Sequence, residues 1–134
     1  MNGLRRQVWF RAALLVGIVY FAVGRLFALP ATNVGAWRLA AWVVCGFAYG
    51  GHVAYEHFSL RNPPRRTAVH AAVAVAIGAL ALAIAGMVHS LSTEAGMRPA
   101  WLVALVAWPA VTAVPAFLGA LVATAVLARA CARR

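Results

Sequence analysis

No lysine and no aspartate occurs anywhere in this 134-residue chain, and glutamate occurs only twice, at Glu56 and Glu94. Without aspartate an Asp-based triad or aspartate pair is excluded. Cysteine is scarce as well: Cys45 falls in the middle of an apolar run and Cys131 in the C-terminal tail. Two thiols at different depths make no disulfide framework, so both read as free, which fits a tail in a reducing compartment. Buried in apolar surroundings, Cys45 reads as inert. There is no CxxC, no CxxCH and no Gly-rich phosphate loop, and Ser59, Ser90 and Ser92 lie in no nucleophile motif. Covalent and carboxylate catalysis therefore have little to work with, and the chain reads as non-enzymatic.

What the chain has in abundance is apolar residues. They make up 65% of it, with a mean hydropathy of +0.86, whereas soluble domains are about half apolar. A domain this short and this apolar cannot cover itself with polar groups, so residues 1–134 read as one integral membrane domain. The net charge of +10 comes from 12 arginines. They cluster at Arg5, Arg6 and Arg11, at Arg61, Arg65 and Arg66, and at Arg129, Arg133 and Arg134, between apolar runs. That pattern sets topology and meets anionic lipids; no basic face with interleaved aromatics is left for nucleic acid. The Ala- and Arg-rich, Lys-free usage points to a GC-rich bacterial genome and hence to the bacterial inner membrane.

Four apolar segments are expected, at about 12–29, 37–59, 67–91 and 99–128, each near or above the roughly 18 residues that cross a bilayer. Pro30 ends the first, the turn RNPPRR separates the second from the third, and Pro99 opens the fourth. Arg5 and Arg6 before an apolar core resemble a signal peptide, but RLFALPA is a poor cleavage site, and the segment reads as a retained helix. Short connections predict an all-α, four-helix transmembrane bundle of antiparallel hairpins. Nine arginines fall on the side of the termini and the 60–66 loop, against Arg25, Arg38 and Arg98 opposite. Both termini are thus expected to be cytoplasmic. Trp9, Trp37 and Trp101 sit near segment starts, where interfacial tryptophans belong.

Ala74, Gly78, Ala81 and Ala85 give the third segment a small-residue groove for close helix approach, and Gly46 and Gly50 form a GxxxG in the second. Pro109 and Pro115 predict a kinked fourth helix. A homo-oligomer or a larger membrane complex is the expected setting of so small a bundle.

The second segment carries most of the unusual residues. At 100° per residue Arg38, Trp42, Cys45, Tyr49, His52, Glu56 and Ser59 share one arc of about 100°, with His57 outside it. A polar line on a membrane helix turns inward, because a charge in the bilayer centre costs at least about 2.5 kcal/mol. Folding the second and third segments about the turn sets residue 56 level with 69, so His70 lies at the depth of Glu56. Glu56, His52, His70 and Tyr49 are the candidate site.

The cluster admits four readings. Glu56 bonded to His70, or to a loop arginine such as Arg65, fixes helix register in an accessory or binding protein. Alternatively, Glu56 titrates in a proton- or cation-coupled transporter. Third, His52, Glu56 and His70 share a metal ion, although the spacing H-x3-E-H is not that of a zinc protease. Fourth, His52 and His70 hold a haem, though they are offset by two or three residues. Elsewhere His89 reads as an interfacial cap, Arg25 and Arg38 as snorkelling residues, and Glu94 and Arg98 as a solvated outer loop. In size, in its four segments and in its membrane glutamate the chain is similar to the small multidrug-resistance transporters; their essential glutamate is in the first helix, and Glu56 is in the second.

Overall fold

The computed structural model describes residues 2–29, 32–93 and 99–132. These form four helices, α1 (Asn2–Leu26), α2 (Val34–Phe58), α3 (Pro64–Ser92) and α4 (Pro99–Ala132). Helix α1 begins ten residues before its apolar run and stops at Leu26, short of the expected residue 29, while α4 continues through Arg129. Apolar runs mark what the hydrocarbon layer covers, whereas backbone hydrogen bonding continues into the polar flanks. The expected stop at Pro30, the loop bearing Glu94 and Arg98, and Arg133 and Arg134 lie outside the described residues.

Three helices are long and apolar enough to cross a membrane: Gln7–Leu26, Pro64–Ser92 and Pro99–Cys131. That is the composition of a membrane protein. Helix α2 equals α1 in length, at 25 residues. Arg38, Tyr49, His52, Glu56 and His57 lower its hydropathy, and it is not among the three.

The turns follow from local chemistry. Asn33 precedes α2 in the left-handed conformation, φ 55°, which asparagine tolerates. At the far end of α2, Arg61 is also left-handed, φ 49°, and turns the chain so that the Asn62 N–H donates to the Glu56 carbonyl at 3.1 Å. Pro64 then opens α3 at a position that needs no N–H donor. The freed carbonyl of Pro63 accepts from the N–H groups of Arg66 and Thr67 at 2.9 and 3.1 Å.

Helix α3 is the centre. It packs most extensively on α4, then on α1, while α2 leans more lightly on the other three. The reason is its surface of small residues: Ala68, Ala71 and Ala74 are wholly buried, and Gly78, Ala79 and Ala83 nearly so. Against α1 the approach leaves no spare room. A Cβ on Gly78 would meet Tyr20 Cβ at 2.7 Å and the Gly17 carbonyl oxygen at 3.0 Å. One on Gly17 would meet Ile77 at 2.7 Å and the Ala74 carbonyl oxygen at 3.1 Å. Gly46 and Gly50, by contrast, have nothing within 4 Å, so the GxxxG of α2 packs against no helix of this chain.

The large apolar side chains point outward. Trp42 is 78% exposed, Phe47 77% and Val106 74%, while the core is mostly alanine. Water would penalise this arrangement, and lipid does not. Val53, Ala68, Ala71 and Ala120 form the buried cluster where α2, α3 and α4 meet, flanked by Tyr49 and Phe117. Pro109 and Pro115 both lie inside α4. Each removes one backbone donor.

Candidate functional site

Glu56 is wholly buried. Its Oε2 accepts from His70 Nδ1 at 3.0 Å and from the side-chain amide of Asn62. Asn62 therefore holds the end of α2 twice, with its backbone N–H on the Glu56 carbonyl and its side chain on the Glu56 carboxylate. The left-handed turn at Arg61 makes the double contact possible, because it brings residue 62 back over the last turn of α2. His70 comes from the second turn of α3. The ring of Trp9, on α1, stacks on the His70 ring with centroids 4.2 Å apart and planes within 4° of parallel. One carboxylate thus ties the α2–α3 turn to α3, and one imidazole carries the tie to α1.

His52 lies one helical turn before Glu56, is only 4% exposed, and is close enough to Glu56 and His70 to interact electrostatically with both. Its Nε2 has no hydrogen-bond partner among the described residues, and neither has Glu56 Oε1 nor Thr67 Oγ1, all of them buried. The clasp is therefore satisfied on one carboxylate oxygen and open on the other. Buried polar atoms are nearly always paired, so orphans gathered at one place mark where something polar is to be sought.

Tyr49 is set apart from the clasp. Its hydroxyl donates to the carbonyl of Ala116 on α4, in space that Gly119 leaves free; a Cβ there would lie 3.2 Å from the Tyr49 hydroxyl oxygen. Tyr49 thus ties α2 to α4 as Glu56 ties it to α3. The expected inward line holds for Tyr49, His52 and Glu56 but not along the whole helix. Trp42, Arg38 and Ser59 are exposed, because contact between α2 and its neighbours is too sparse to cover them. Arg38 instead lines a groove of about 290 Å³ with Gly24 of α1 and Phe27 just beyond its end. Arg65 and Arg66, expected in the loop, fall in the first turn of α3 and are exposed, and Glu56 takes Asn62 and His70 as partners.

Two members of the site were missed in the sequence. Trp9 reads there as an interfacial anchor and is the cover of His70; Asn62 reads as a turn residue and is a donor to Glu56. A hairpin register relates α2 to α3 but says nothing of which face α1 presents. The only signal for Asn62 was a side-chain amide within six residues of a membrane glutamate. Among the described residues, no three His, Cys, Asp or Glu side chains are grouped to hold a metal ion. Comparison with family models, curated proteins and solved structures finds no match to this chain.

Proposed function

We infer that this is a small polytopic integral membrane protein, non-enzymatic, acting as an accessory or binding protein whose helices are locked at one end by the Glu56 clasp. The observation that carries the reading is the convergence on Glu56 Oε2 of donors from the α2–α3 turn and from α3, with Trp9 of α1 laid over His70. A carboxylate held by two donors and excluded from water is fixed in place, and intramembrane polar contacts commonly serve to hold helices together.

In this reading α2 is a fourth span. At 1.5 Å per residue its 25 residues reach about 37 Å, enough for the hydrocarbon layer. Leu39, Trp42, Val43 and Phe47 face outward, as a lipid-facing side requires, and His52 and Glu56 in its C-terminal half face inward. Four spans make successive helices antiparallel and set both termini on the cytoplasmic side of a bacterial inner membrane, where the arginine clusters meet anionic lipid headgroups. Pro109 and Pro115 kink α4. The partner is a second copy or a larger membrane complex.

A second reading, a proton- or cation-coupled transporter working through Glu56, is favoured by the orphaned Glu56 Oε1 and His52 Nε2. Proton flux into sealed liposomes, driven by a pH gradient and read with an entrapped dye, separates the two. The clasp reading predicts no flux above empty liposomes. Flux that Glu56→Gln abolishes in a protein that still folds would replace it with the transporter reading.

A further inference from the structure

Beside the clasp, α1 and α2 part to leave an open groove of about 480 Å³. Val8, Arg11 and Leu15 line it from α1, and Gly51, His52 and Tyr55 from α2. Three features give it a chemistry. Its walls are mostly aliphatic over two turns of α1. Arg11, exposed, sets a fixed positive charge two residues from Trp9, hence near the level of the clasp. The third feature is Tyr55, 42% exposed, with the buried His52 in the same wall. Gly51 forms the open flank: where a side chain would begin there is nothing within 4 Å. The volume is that of a small-molecule site, within the usual range of about 300–1,000 Å³.

We propose that this groove is a specific site for one anionic phospholipid, its phosphate held by Arg11, its headgroup oxygens within reach of the exposed Tyr55, and an acyl chain laid along Ala12, Leu15 and Val16. The inference rests on the membrane reading above and deepens its lipid contacts from a general attraction to a single site. Charge complementarity favours this occupant. Among the described residues the groove is lined by one cation, Arg11, and no anion, and the Arg61, Arg65 and Arg66 cluster adjoins the clasp end of α2 and α3. The cytoplasmic leaflet, where these residues are placed, is the anionic one. Apolar walls with a single cation suit an amphiphile better than a free phosphate, which would leave the aliphatic surface unused.

The test uses the full chain in nanodiscs of phosphatidylcholine containing phosphatidylglycerol as a minor component, followed by native mass spectrometry of the released protein. The wild type is expected to retain one phosphatidylglycerol in preference to phosphatidylcholine. Arg11→Gln should weaken that retention about fivefold, the effect of one arginine near an anionic surface. Gly51→Phe, whose Cβ would meet nothing within 4 Å and whose ring would occupy the groove, should abolish it while leaving the helical content unchanged. Equal retention of the two lipids, undiminished retention by Gly51→Phe, or added mass equal to a second chain in place of lipid overturns the proposal. A chain that enters the bilayer with no lipid preference refutes the groove alone, whereas a chain that does not enter the bilayer at all refutes the membrane reading beneath it.

Discussion

Removing the Glu56 carboxylate should loosen three helices at once, and the size of the loss can be worked from the contacts. Glu56→Ala leaves His70 Nδ1 and the Asn62 amide without their acceptor, in a place sealed by Trp9. An unsatisfied buried donor costs about 1–3 kcal/mol, which gives about 2–6 kcal/mol for two donors if neither finds a new partner. Glu56→Gln keeps an acceptor oxygen for both donors but loses the charge and places an NH2 donor where the buried Oε1 has no partner among the described residues, so a smaller loss of about 1–2 kcal/mol is expected. The pairwise term is isolated by a cycle of Glu56→Ala, His70→Ala and the double variant, read from reversible unfolding in mixed detergent micelles. Interhelical hydrogen bonds in membranes couple by about 0.6 kcal/mol on average and about 1.7 at most. A wholly buried 3.0 Å contact to a carboxylate belongs at the upper end, at about 1.5 kcal/mol. Additive losses, with Glu56→Ala no worse than Glu56→Gln, would refute the clasp.

The glycines make a matched pair of tests. Gly78→Val should destabilise by about 1–3 kcal/mol, since its Cβ would collide with Tyr20 and the Gly17 carbonyl; Gly46→Ala, which meets nothing, should gain up to about 1 kcal/mol from helix propensity. Thermal melts in detergent decide both. Tyr49→Phe removes the bond to the Ala116 carbonyl and should cost about 0.5–1.5 kcal/mol in the same melts. Arg61→Gly relieves a left-handed residue and should raise stability by up to about 1 kcal/mol; a loss there would mean that the Arg61 side chain holds the turn.

How far the sequence alone reaches differs from element to element. Helices α1, α3 and α4 were legible because long apolar runs bounded by arginine and proline admit little else. The neighbourhood of Glu56 and His70 was legible because a short turn fixes the register of the two helices it joins. The rotation of α1 was not: nothing local to Trp9 says that its ring lies on His70 rather than at the headgroups. Nor was the central place of α3. Its alanines signal close approach, but not that helices crowd it on two sides while α2 is left outside. The inward line on α2 was read from periodicity alone, which gives a shared face and not the length over which a neighbour covers it. Arg38 and Trp42 share the face of Glu56 and are uncovered for that reason.

The central claim is that α2 is a fourth span, so that Glu56 works inside the bilayer. Parity tests it directly. A cysteine appended at the N-terminus and the native Cys131, exposed at the end of α4, can each be labelled with a membrane-impermeant maleimide in sealed vesicles of known orientation. Four spans place both on the same side of the membrane, and same-side labelling is the result expected. Labelling from opposite sides means three spans, which would put α2 outside the bilayer and make the Glu56 clasp a feature of the membrane surface.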